Sequence, residues 1–141
     1  MAEAILNAKG NGRFEAHSAG SRPAPRVNPL AIEALEQVGI DWSGHQPRPI
    51  DGLEHERWDF VITVCDKAKE ACPIFPGQPV VAHWGMEDPA EAAGTHEEKL
   101  RAFTAARQVI TRRIELLLML PMEKLERLAL ETRVRAIGAG D

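Results

Sequence analysis

The chain has 141 residues, 44% of them hydrophobic and 27% charged, with a formal net charge of −4. That length suits one compact domain, residues 1–141, and the acidic balance excludes the basic footprint that nucleic acid or an anionic membrane requires. The densest apolar stretch, Ile114 to Leu120, is interrupted by Glu115 and falls far short of the roughly 20 residues that span a bilayer. No basic segment followed by an apolar run opens the chain, so the sequence offers no export signal, and two cysteines in such a chain point to a reducing cytoplasm.

Met1 to Lys9 reads as a helix carrying Ala2, Ile5 and Leu6, ended by Gly10-Asn11-Gly12. Phe14, Ala16 and Ser18 alternate with polar residues and predict a short strand. Ser21 to Val27 is a loop, after which Asn28 caps a helix with Pro29 at its first position and Gly39 at its end. Asp41 to Arg57 is mostly loop, with a short helix near Ile50 to His55. Asp59 to Cys65 is the clearest strand, and its unbroken β-branched run predicts burial on both faces of a parallel sheet. Val80 to His83 is a second short strand, followed by the loop Trp84 to Pro89. Thr95 and Glu98 form a capping box that opens a long helix with core face Leu100, Phe103, Ile110, Ile114 and Leu117. Pro121 breaks it, and a helical extension follows over about 122–137, with a stripe at Leu125, Leu128 and Ala129. Strands alternating with helices predict an α/β fold with a short parallel sheet.

Cys65 and Cys72 are the sharpest chemical feature. Cys65 closes the best strand, at the edge where α/β proteins place their sites. Cys72 lies seven residues on, and seven helical residues separate two Cα atoms by about 10 Å. A disulfide needs its Cα atoms within about 7 Å, so a cycling pair has to unwind the segment between them. The alternative is two unrelated buried thiols, and zinc is disfavoured because no second ligand pair accompanies them. Asp88 fits a general acid or base near the sheet edge, although Asp-Pro is also a common turn starter. His17, His45, His55, His83 and His96 show no ligand spacing, so no metal is expected, and surface or loop roles are assigned to them. Arg22, Arg26 and Arg48 are candidates for an anion or for plain solvent exposure.

Four stretches together resemble the arsenate reductases that share the low-molecular-weight protein tyrosine phosphatase fold. They are Ser18 to Gly20, Val27 to Ala34, Val61 to Asp66 with Cys72-Pro73, and His83 to Pro89. The resemblance implies a three-layer fold and a reaction in which arsenate, an oxyanion like phosphate, becomes arsenite. It casts Asp88 as general acid or base and Cys65 with Cys72 as the redox pair. Cys65 would attack an arsenic-bearing thiolate, and Cys72 would resolve the resulting disulfide. No bound cofactor is implied, only an external reductant: thioredoxin, a glutaredoxin-type protein or a low-molecular-weight thiol.

The resemblance also implies a first strand and a phosphate-cradling Cys-x5-Arg loop, with its nucleophile and arginine, ahead of a Met-Ala-Glu-Ala helix. This chain opens on that helix, so the nucleophilic loop is absent from the 141 residues, as a start codon assigned too late would leave it. The chain as written is then expected to be inactive alone and poorly stable, or to borrow a strand from another copy, with an oligomer left open. Competing readings are a low-molecular-weight tyrosine phosphatase, which needs no resolving thiol, and a non-catalytic remnant or thiol redox switch.

Overall fold

The computed structural model describes residues 1–20, 23–64, 75–122 and 126–139, with the side chains of Glu54 and Leu128 outside that description. Helix α1 spans Ala2–Gly10 and ends where Asn11 (φ 46°) and Gly12 (φ 83°) turn left-handed, the conformation that small or Asx residues accept most readily. The stretch expected as a strand at 14–18 is not one. Ala16 donates its N–H to Asn7 Oδ1 at 2.8 Å, and its carbonyl accepts from Asn7 Nδ2 at 3.1 Å. A side chain of α1 therefore occupies the backbone groups that a neighbouring strand would pair. Alternation alone could not foresee that competitor.

Helix α2, Pro29–Glu36, begins as its sequence dictates, with Asn28 Oδ1 accepting from the Leu30 N–H at 2.9 Å. Gly39 at φ 79° lets Ile40 N–H reach back to the Leu35 carbonyl at 3.0 Å, the six-to-one bond of a Schellman ending. A single 3-10 turn, Leu53–His55, stands where a short helix was expected.

Strands β1 (Phe60–Thr63) and β2 (Val80–His83) pair in parallel, Phe60 opposite Val80 and Thr63 opposite His83. The expected burial of β1 on both faces is not met: all four residues are half-buried and Val64 is exposed. Among the described residues β2 is its only strand neighbour, and its Phe60 and Ile62 pack against the core. Cys65 falls outside the described residues.

Helix α3, His96–Leu118, carries the full capping box, with Glu98 N–H to Thr95 Oγ1 at 3.2 Å and Thr95 N–H to Glu98 Oε1 at 3.4 Å. Its buried face is Phe103, Ala106, Ile110, Arg113, Ile114 and Leu117, whereas Leu100 is only half-buried. Helix α4 runs Arg127–Ala139, later at both ends than expected. Val134 is fully buried with Leu130 and Ile137 packed beside it; of the expected stripe Ala129 is exposed, while Leu125 and the Leu128 side chain lie outside the description. Positions 130, 134 and 137 follow the helical spacing of four and three that a packed face requires.

The core joins Ala4 and Ile5 of α1, Leu35 of α2, Val80 and Ala82 of β2, Trp84, Ile110, Ile114 and Leu117 of α3, and Val134 of α4. Among the described residues no strand pairs with the far edge of β2. Instead α4 covers it: Arg135 Nε donates to the Val81 carbonyl at 2.9 Å, and Arg127 donates to the carbonyls of Gln78 (2.6 Å) and Pro79 (3.0 Å). Glu131 accepts a long 3.5 Å bond from the Val81 N–H and pairs with both arginines.

Replacing Thr95 with Ala should lower stability by about 1 kcal/mol, the usual worth of an N-cap. Urea unfolding should show a lower midpoint with an unchanged slope, and an unchanged midpoint would contradict the capping argument.

Candidate active site at the carboxyl edge of the sheet

Because β1 and β2 are parallel, both strands deliver their carboxyl ends to one edge. Thr63 Oγ1 and His83 Nδ1 close that edge with a hydrogen bond of 2.7 Å. Trp84 N–H extends the ladder one step, donating to the Thr63 carbonyl at 2.7 Å. From Thr63 the chain continues through exposed Val64 toward Cys65; both Cys65 and Cys72 lie outside the described residues. From His83 it enters the loop that carries Asp88.

That loop is held at both ends. At its start, the buried Trp84 indole donates Nε1–H to the Val134 carbonyl of α4 at 2.9 Å. Arg113, only 4% exposed, aims its guanidinium at the same place. Its Nη1 donates to the carbonyls of Trp84 (2.8 Å) and Gly85 (3.3 Å), and its Nη2 to Gly85 (3.3 Å) and Gly138 (3.5 Å). At its other end, Asp88 caps the 3-10 turn Pro89–Glu91, which packs on α3. The Asp88 carboxylate accepts the Ala90 N–H at 2.9 Å, and among the described residues that is its one side-chain partner. One oxygen is thus engaged on a residue that is exposed as a whole, so the carboxyl is accessible to a bound reactant.

Other candidates disperse. Arg48 is engaged with the chain, donating Nε to the Ser18 carbonyl at 3.0 Å and Nη2 to His17 Nδ1 at 2.8 Å. Arg26 is exposed and Arg22 lies outside the described residues. His17 meets Glu15, His96 meets Glu33, and His45 stacks on Trp42 at 3.6 Å. Among the described residues no group of three His, Cys, Asp or Glu side chains is arranged to hold a metal ion, and no helix is long and apolar enough to cross a membrane.

The model of the low molecular weight phosphotyrosine protein phosphatase family matches residues 1–131. The chain belongs to that family. The α/β architecture of this phosphatase-family chain, with its short parallel sheet, is accordingly the low-molecular-weight phosphatase fold. It is 39% identical over 102 residues to an arsenate reductase of Halalkalibacterium halodurans, covering 72% of this chain and 73% of that protein. A solved arsenate reductase in its oxidized state superposes with a TM-score of 0.69 at 31% identity, covering 83% of this chain and 84% of the other. The thioredoxin-dependent arsenate reductase of Corynebacterium glutamicum aligns with a TM-score of 0.52 at 26% identity, over 82% of this chain and 54% of that one.

Sequence reading placed Asp88 on this edge but missed the Thr63–His83 bond and Arg113. Arg113 did leave a signal, since it falls within the apolar spacing of Ile110, Ile114 and Leu117, where a charge needs buried partners. His83 left none, because its partner comes from another strand. A Cβ at Gly85 would lie 2.6 Å from His83 Nε2, so the imidazole keeps its bond to Thr63 only beside glycine. Gly85→Ala should therefore rotate His83 away from Thr63. Nitrogen NMR of the His83 ring should change, with a stability loss of about 1 kcal/mol for the hydrogen bond. An unaltered ring spectrum would show that the ring and loop have room to spare.

Proposed function

We propose that this chain belongs to a thiol-coupled reduction of arsenate to arsenite in the cytoplasm, in which it supplies the resolving dithiol and the general acid or base. The observation that carries the reading is the match to proteins named arsenate reductase over most of the chain, together with the Cys65–Cys72 pair directly after β1. Arsenate must gain two electrons and lose one oxygen as water, while two thiols become one disulfide. In the proposed sequence a thiolate displaces an oxygen of arsenate, and Asp88 supplies the proton that lets the oxygen leave. Cys65 then attacks the sulfur of that thioester, and the sulfur–arsenic electron pair departs with arsenite. Cys72 attacks Cys65 and frees the first thiolate, leaving a Cys65–Cys72 disulfide. Thioredoxin, on which the Corynebacterium relative depends by name, then reduces that bond.

The first thiolate is neither of these two. A phosphate-cradling Cys-x5-Arg stretch needs an arginine six residues after the cysteine, where Cys65 has Ala71 and Cys72 has Gln78. The 141-residue chain by itself is therefore proposed to be inactive toward arsenate while keeping a working resolving pair.

Two measurements separate these statements. Mixed with arsenate, thioredoxin, thioredoxin reductase and NADPH, the purified chain should consume no NADPH above background; arsenite formation would refute the assignment of the nucleophile. After mild oxidation, thiol trapping should reveal an intramolecular disulfide that thioredoxin reduces and that Cys72→Ser abolishes. Two freely alkylated thiols after that treatment would end the resolving-pair reading.

A further inference from the structure

We propose that Arg113 is the positioning residue of the Asp88 loop, and that through it the carboxyl-terminal end of α4 sets where that loop lies. The proposal rests on the reading above only in giving Asp88 its chemistry; the coupling itself is geometric. Arg113 sits in the apolar face of α3, between Ile110 and Ile114, where an unpaired cation would be strongly disfavoured. Its cage includes the backbone carbonyls of three residues from two places in the chain: Trp84 and Gly85 at the start of the loop, and Gly138 near the end of α4. A planar fork serves such a set because its donors diverge at fixed angles, and a lysine ammonium cannot reproduce that spread.

Two further contacts make α4 a partner in the arrangement. The Trp84 indole donates to Val134, one turn before Gly138. Gly138 itself touches the strand end so closely that a Cβ would lie 2.5 Å from Trp84 Cδ1 and 2.6 Å from the His83 carbonyl oxygen. Between this anchor and the Asp88-capped turn on α3 only Met86 and Glu87 intervene, Met86 packing on the core. Asp88 thus stands on a short span whose near end is fixed by Arg113 and α4 together. A shift of α4 along β2 moves the Trp84 and Gly85 carbonyls, and the carboxylate follows.

Hydrogen exchange and NMR on the whole 141-residue chain test this without any turnover, so failure of the arsenate reading would leave the result untouched. Arg113→Lys keeps the charge and loses the fork. The Trp84 indole and backbone N–H should exchange about tenfold faster, the factor expected when a bond to a charged group is lost. The Ala90 amide resonance, which reports its bond to Asp88, should shift, while Leu35 and Phe103 amides keep wild-type protection. Gly138→Ala, which leaves Arg113 in place and crowds α4 off Trp84, should move the same reporters in the same direction. Wild-type exchange and an unmoved Ala90 resonance in both variants would overturn the proposal. So would uniform acceleration that includes Leu35 and Phe103, which marks a general structural role. If Arg113→Lys does not fold, Gly138→Ala decides by the same criteria.

Discussion

Strand β2 satisfies its backbone by two different chemistries, and the molecule is arranged around that asymmetry. One edge is an ordinary parallel ladder to β1, and the other is met by arginine and glutamate side chains of α4. Its inward residues, Val80 and Ala82, belong to the core to which all four described helices contribute. Val80 and Ala82 can be buried this way because the backbone groups on both edges of the strand find partners. The Glu131 carboxylate, flanked by Arg127 and Arg135, keeps those long side chains aligned along the strand. As exposed pairs these contacts contribute modestly, but they hold in place the side chains that bond the strand's backbone where the described residues offer no further strand.

The same arrangement determines what the candidate site can be. Parallel strands bring Thr63 and His83 to one edge, and everything with proposed chemistry follows them in the chain: the cysteine pair after β1, Asp88 after β2. Asp88 is oriented by a local turn, Asp-Pro-Ala, whose capping bond is independent of the rest of the fold. Its position in space, by contrast, depends on the carbonyl cage around Arg113. Orientation is thus encoded locally and placement globally.

That division also explains what could be read from the sequence. Asn28-Pro29, Thr95 with Glu98, and the runs Phe60–Thr63 and Val80–His83 declare themselves because their signals lie within a few residues. The stretch at Phe14 to Ser18 carried an equally good local pattern, but whether it pairs depends on Asn7, and periodicity does not record who binds Ala16. On α4 several apolar sets fit a helical spacing; of the stripe read there only Ala129 lies among the described side chains, and it is exposed, while Leu130, Val134 and Ile137 are the ones the fold turns to the core. Asp88 and the cysteines emerged through family resemblance more than through physics, since an Asp-Pro turn and two thiols are each unremarkable alone.

The side-chain cover on β2 also imposes an order on biosynthesis. Helix α4 leaves the ribosome well after Val80–His83, so a nascent chain holds an uncovered strand margin until residues 127–139 emerge. During that interval Val81 presents its N–H and carbonyl to any neighbouring polypeptide, and the risk ends when Glu131 and Arg135 arrive.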